Sequence, residues 1–264
     1  MVRRRRSCLT VPGDDERKLA RAAEIDADEV ILDLEDAVAP ARKEEARGLV
    51  TRAVRDHRWR APTVAVRVNG VRTPWFAGDL ALVAELRPDV VVVPKAESAE
   101  DVSGLPVPCE ALIETARGLV ACEEIAGAPS VEALVLGPGD LAASLGVPEL
   151  TIGAGAHVEY ALARVAVAAR AFGCAAVDGP FASLDDEQGL RASAARSRAL
   201  GYDGKWCIHP SQVAVCNQVY APSAAEVERA LRILELTGVG RLDGEMVDEA
   251  NRRIAESILA RADD

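Results

Sequence analysis

The sequence predicts an α/β chain folded as a (β/α)8 TIM barrel with a C-terminal helical extension. Three observations carry that expectation. The chain has 264 residues, a length that suits one large barrel better than two ordinary domains. Eight short apolar runs alternate with longer amphipathic segments. Hydrophobic residues make up 49% of the chain while aromatics are only 3%, so the core must be filled by aliphatic side chains, as barrel interiors are.

The runs are Cys8–Val11, Glu29–Leu34, Thr63–Val68, Val90–Val93, Ala111–Ile113, Ala133–Leu136, Ala175–Val177 and Lys205–Ile208. They are continuous rather than alternating, as parallel strands buried on both faces are. Helices are expected at Asp14–Ala23, Arg42–Asp56, Ala116–Ala126 and His157–Phe172. An open doubly wound sheet is the alternative, but it has no reason to count to eight. Gly13, Gly70, Gly118, Gly139 and Gly201 lie near element ends, where turns need them. Beyond the eighth run, Ala225–Leu236 and Asp248–Arg261 read as helices on either side of the turn-rich TGVGRLDGEM. The expected organisation is a barrel over 1–210, then a last barrel helix and an extension over 211–264 suited to subunit contacts.

Net charge is −11 and the pI about 4.9, which argues against a phosphate-tracking nucleic-acid binder. The only basic run is Arg3 to Arg6. It reads either as a solvated arm or as a contact for the phosphates of a nucleotide-like cofactor. No apolar run is long enough to span a membrane, and the stretch after the arginines is too short for a signal peptide. The six cysteines include no CxxC pair and read as buried thiols in a reducing cytoplasm.

Active sites of this fold lie just past the C-terminal ends of the strands. After the second run come Asp33, Glu35 and Asp36; after the third, Arg67 and Asn69; then Lys95, Glu114, Asp140, Asp178 and His209 in turn. Ion pairs closing the rim are the plainer reading for Asp33, Lys95 and Asp178 taken singly. Glu114 and Asp140 are the metal candidates. They follow consecutive strands and have no His or Cys nearby, which suits a hard cation, Mg²⁺ or alternatively Mn²⁺. Asp140 is also placed to cap a helix beginning at Leu141.

Taken in order, VPGDDERKLARAA, VILDLEDAV, RVNG with TPW, VVVPKAES, IETARG, GPGDLAASLG, DGPF, CIHPSQV and GEMVD resemble the HpcH/HpaI aldolase–citrate lyase β-subunit superfamily. The likeness is greatest to its stand-alone citrate-lyase-β-like and malyl/citramalyl-CoA lyase branch, and it runs from residue 7 to about 258. The resemblance implies a barrel, Mg²⁺ on Glu114 and Asp140, a substrate-binding Arg67, and trimers or hexamers. It also implies that Asp248 reaches a neighbouring subunit's site as an acid–base group. Read alone, Asp248 is the N-cap of the last helix, and the two roles are compatible.

The chemistry implied is scission or formation of a C–C bond beside a thioester, with an acyl-CoA and a 2-oxo acid as small-molecule partners. Arg67 would face the developing enolate oxygen, or simply pair with Asp36 or Glu35. Asp248 would move the proton. Asp36 would orient Arg67 or a metal-bound water. Gly137, Gly139 and Asp140 would present backbone N–H groups to the substrate carboxylate. Arg17, Lys18 and Lys95 are the cations expected to meet CoA, with Arg5 and Arg6 also near the motifs. Solvated helix face is the plainer reading of Arg17 and Lys18. His209 is expected to order its loop rather than act as the base. The runners-up are a metal-dependent pyruvate-type aldolase without CoA, a citryl-carrier-protein lyase subunit and a non-catalytic barrel scaffold. A Rossmann nucleotide binder is disfavoured, since no GxGxxG follows the first strand.

Overall fold

The computed structural model describes residues 3–148 and 156–263. The chain divides into two compact units, residues 1–217 and 218–264. In the first, eight parallel strands close in sequential order: β1 (Ser7–Pro12), β2 (Glu29–Asp33), β3 (Thr63–Arg67), β4 (Val90–Val93), β5 (Cys109–Ile113), β6 (Val131–Leu136), β7 (Ala175–Asp178) and β8 (Gly204–Cys207). β1 pairs both β2 and β8, which seals the ring. All eight expected runs are strands, with ends shifted by no more than two residues.

The connecting helices are α1 (Glu16–Ala22), α2 (Lys43–Asp56), α3 (Phe76–Leu86), α4 (Ala116–Val120), α5 (Cys122–Ala126), α6 (Pro138–Ser144), α7 (Ala156–Ala171), α8 (Glu187–Ala199) and α9 (Pro210–Tyr220), the last containing the boundary between the units. The single helix expected over Ala116–Ala126 is broken at Ala121, whose φ of −90° and ψ of 4° leave the helical region. Only a 3-10 turn, Glu100–Val102, lies between β4 and β5.

Strand alternation sorts the barrel interior into layers. Cys8, Ile31, Ala65, Val90, Val92, Leu112, Val135, Val177 and Trp206 form the apolar core of the interior. Two residues further along β2, β3 and β5 stand Asp33, Arg67 and Glu114, at the C-terminal mouth. Two residues back along β2 and β5 stand Glu29 and Glu110, at the floor. Arg5 enters that floor. It is only 2% exposed and pairs with Glu110 and, at 3.5 Å, Glu29. Arg6 pairs with Asp28 at 2.8 Å and Arg3 with Glu132 at 3.2 Å. The basic run is therefore neither a solvated arm nor a phosphate site: its charges meet carboxylates at the closed end, away from the mouth.

In the second unit, α10 (Ala224–Glu235) starts with a complete capping box, Ser223 and Glu226. The turn-rich segment is a hairpin, β9 (Gly240–Leu242) and β10 (Glu245–Val247). Its loop residues, Asp243 and Gly244, have φ of 49° and 91°, as the tight turn favoured by Asp-Gly requires. α11 (Glu249–Asp263) follows, and Ala230, Ile233, Val247 and Ala255 form the core of this unit. Among the described residues no helix is long and apolar enough to cross a membrane.

Candidate active site at the barrel mouth

The mouth is a connected charge array. Arg67 donates from Nε to Asp33 Oδ1 at 2.7 Å and from a terminal nitrogen to Asp33 Oδ2 at 2.6 Å. Its other terminal nitrogen lies 2.8 Å from Glu35 Oε2, and the guanidinium sits 5.3 Å over the Trp206 ring. Two of its five N–H groups are hydrogen-bonded, both to Asp33, and Glu35 adds an ion pair. Burial opposes the charge of Arg67, but Asp33 and Glu35 outweigh it and shift its pKa upward. Asp33 is held in turn by the backbone N–H groups of Glu35 and Ala37, at 2.8 and 3.1 Å. Orientation of Arg67 thus falls to Asp33 and Glu35. Asp36, expected to do it, is exposed and lies 3.5 Å from the Lys95 ammonium.

Glu114 and Asp140 stand at the ends of β5 and β6. Glu114 is buried and its Oε1 accepts from the Lys95 backbone N–H at 2.9 Å. A Cβ on Gly137 would come within 2.5 Å of Glu114 Oε2, so only glycine lets this carboxylate lie where it does. Gly137 precedes α6, Gly139 lies in its first turn, and the helix begins at Pro138. Asp140 is therefore inside the first turn rather than its cap. Burial, then the neighbouring Glu35, pushes the Glu114 carboxyl up to about 8 despite Lys95 and Arg67.

This donor set fits a divalent ion. It consists of hard oxygens, set side by side on the consecutive strands β5 and β6. A cation already lies 3.9 Å from both Glu114 Oε1 and Asp140 Oδ1: the Lys95 ammonium. Lys95 also bonds Glu35 at 2.5 Å. It was expected to meet CoA phosphates, but four carboxylates already surround it.

Of the other cations, Arg17 is exposed on α1. Lys18 lines a cavity of about 510 Å³ with Arg21, Thr10, Ile208, His209 and Pro210. The cavity opens beside the mouth, where β1 and β8 end. His209 Nδ1 accepts from the Ser211 backbone N–H at 3.2 Å, consistent with ordering its loop. Asp178 forms a buried pair with Lys205 at 2.5 Å. Asn69 bonds the buried Asp79 and the Leu34 carbonyl. These two are structural partners, not site groups. In the second unit Asp248 accepts from the backbone N–H groups of Ala250 and Asn251, at 2.9 and 3.3 Å, and so caps α11.

The rim ion pair expected for Asp33 forms, but with Arg67, for which the sequence suggested Asp36 or Glu35 instead. The signal was available, since Asp33 and Arg67 end adjacent strands on the same inward face.

A closed parallel barrel with a hard-oxygen pair and a fixed arginine at its C-terminal mouth defines a (β/α)8 protein with a cation-ready active-site rim. The chain belongs to the HpcH/HpaI aldolase/citrate lyase family, whose profile matches residues 6–111 and 105–210. It is 37% identical to a (3S)-malyl-CoA thioesterase of Cereibacter sphaeroides, over 98% of this chain and 94% of the relative. It is 35% identical to the L-malyl-CoA/beta-methylmalyl-CoA lyase of Rhodobacter capsulatus, over 99% and 96%. Its fold matches that of CitE from Mycobacterium tuberculosis, solved with magnesium, acetoacetate and coenzyme A. That match has a TM-score of 0.86 and 35% identity, over 98% of each chain.

Proposed function

We propose that the chain is a Mg²⁺-dependent carbon–carbon lyase acting on a β-hydroxyacyl-CoA of malyl, citramalyl or citryl type, giving a 2-oxo acid and a shorter acyl thioester, or the reverse. The observation that carries this is the grouping, at one barrel mouth, of Glu114 and Asp140 after the adjacent strands β5 and β6 with the doubly anchored Arg67 at the end of β3. The names of the relatives support both the metal and the thioester.

Glu114 and Asp140 would hold the ion. When held there, the ion would supply Lewis acidity toward the substrate's oxygens. Asp248 takes the hydroxyl proton. The electrons of the breaking C–C bond pass toward the thioester carbonyl, and Arg67 faces the oxygen where that charge gathers. Because Asp33 and Glu35 already fix the guanidinium, little reorganisation is needed as the charge develops. Asp248 then returns its proton to the enolate carbon, and the 2-oxo acid leaves. We assign the cavity beside Lys18, Arg21 and His209 to the nucleotide end of CoA: cations meet phosphates, and the walls of Leu9, Val11 and Pro210 suit the rest. We further propose a homotrimer in which Asp248 serves a neighbouring mouth. We place the protein in the cytoplasm, in keeping with six buried, free cysteines.

The test is incubation with Mg²⁺ and a panel of β-hydroxyacyl-CoA thioesters, with an EDTA control and Glu114→Ala. Release of 2-oxo acid without free thiol, lost with EDTA and in Glu114→Ala, is the expected result. The thioesterase relative gives a second reading, hydrolysis, which would instead release free CoA thiol and leave the hydroxy acid intact. If no thioester is consumed but pyruvate exchanges its methyl protons with deuterium when Mg²⁺ is present, the CoA-free aldolase reading replaces both.

A further inference from the structure

Lys95 has two features that the proposed reaction does not use. It is one of three non-glycine residues with positive φ among the described residues, at 52°. It is also the shared cation of four carboxylates. Its ammonium lies 2.5 Å from Glu35, 3.5 Å from Asp36 and 3.9 Å from each of Glu114 and Asp140. The other cation bonded to this array, Arg67, is committed to Asp33 and Glu35.

The backbone feature has an evident purpose. A left-handed conformation is costly for a residue with a Cβ, and glycine would avoid that cost. Here the turn aims the Lys95 N–H at Glu114 Oε1, 2.9 Å away, while the missing Cβ of Gly137 leaves room for the other oxygen. Glu114 is thereby oriented through one of its two oxygens. That a lysine and not a glycine stands at this turn directs attention to the side chain.

We propose that Lys95 is a positioning residue whose ammonium is a tethered cation, holding the Glu114–Asp140 pair in place until a divalent ion displaces it. This rests on the reading of Glu114 and Asp140 as metal ligands. Without a cation, four carboxylates around one small volume would repel one another and splay. The lysine neutralises part of that charge from within the chain. Its four-carbon stem lets it withdraw when a stronger cation enters, since its side chain is partly exposed. The consequence is competition: the ammonium must leave, or share the space, for the ion to bind.

The test is calorimetric titration of Mg²⁺ into the wild type and into Lys95→Met, Lys95→Arg, Lys95→Gly and Glu114→Gln, with thermal unfolding of each, with and without Mg²⁺. Met has similar reach and no charge, and it leaves the backbone cost unchanged. Lys95→Met is expected to bind Mg²⁺ about tenfold more tightly at low salt, as removal of one charge a few ångströms from a divalent ion implies. The gain should shrink at about 0.5 M salt, where screening is strong. Without Mg²⁺ the Lys95→Met melting temperature should fall, and Mg²⁺ should raise it more than it raises the wild type's. Lys95→Arg should stay near wild-type affinity. Lys95→Gly should bind at least as tightly as Lys95→Met, because the N–H to Glu114 is kept and the turn is relaxed. Unchanged or weaker Mg²⁺ binding by Lys95→Met, while Glu114→Gln weakens it, would overturn the inference and leave the metal site standing. Full Mg²⁺ affinity in Glu114→Gln would overturn both.

Discussion

Replacing Arg67 by Met separates what the guanidinium does for the fold from what it does for the reaction. Asp33 is fully buried and faces Arg67 through two bonds of 2.7 and 2.6 Å. Breaking a buried pair by removing one partner typically costs about 3–5 kcal/mol, because the remaining charge is stranded. Asp33 keeps two backbone N–H donors, from Glu35 and Ala37, so the cost should fall near the lower end, about 3 kcal/mol. Adding Asp33→Asn removes the stranded charge. It forfeits one backbone acceptor, about 1 kcal/mol, so the double variant should be about 2 kcal/mol more stable than Arg67→Met alone. Activity should not follow: loss of the donor to the developing enolate should lower turnover by about 10²–10³ in both variants. Urea unfolding and thioester cleavage on the same preparations read the two quantities. If the double variant is no more stable than the single, Asp33 is not the charge that Arg67 compensates. If it recovers turnover, Arg67 acts only through the fold.

Three further outcomes are expected. Glu29 is wholly buried, and burial together with the Glu110 charge pushes its carboxyl well above the usual range. The native state therefore keeps a proton that the unfolded chain releases above about pH 4.3. Stability should then decline as pH rises from there toward the native pKa, by up to about 1.4 kcal/mol per pH unit. Glu29→Gln removes that decline, so its stability relative to wild type should improve as pH rises above the ordinary carboxylate range; parallel urea midpoints would contradict the floor arrangement. Gly137→Ala forces a methyl against the Glu114 carboxylate and should weaken Mg²⁺ binding in calorimetry; unaltered affinity would mean Glu114 is not the ligand. Asp248→Asn keeps an N-cap oxygen for α11, so stability should change by no more than about 0.5 kcal/mol. Its turnover should nonetheless collapse, and normal turnover would remove Asp248 from the mechanism.

The barrel was legible because its strands are continuous apolar runs, a pattern set by burial on both faces. Element ends moved by a residue or two, since apolar runs do not mark where pairing stops. The candidate metal pair was legible for the same reason: Glu114 and Asp140 each interrupt an apolar sequence at a strand's end. What the residues hide is partnership across long separations. Arg5 looked solvated because its partners, Glu29, Glu110 and Glu132, lie on strands 24 to 127 residues away. Alternation along β2 and β5 could have revealed the first two, since Glu29–Ile31–Asp33 and Glu110–Leu112–Glu114 point one way. Lys95 was grouped with phosphate-binding cations because charge alone does not say which side of the rim a lysine faces. The hairpin after α10 was read as turns because three-residue strands are too short to show a period, although Asp243-Gly244 was its marker.

The arginines at the floor bear on how the ring closes during synthesis. β1 finds one neighbour early, in β2, but its other edge waits for β8, about 200 residues later (Ser7 pairs with Lys205). Through that interval β1 offers an unpaired edge, the kind that invites association with other chains. Arg3 and Arg5 give the strand distant anchors that emerge sooner, Glu110 and Glu132. The N-terminal strand can thus be drawn to the half-built barrel from below before its last neighbour leaves the ribosome. The polar floor works as a latch for a ring whose two ends are the first and last strands made.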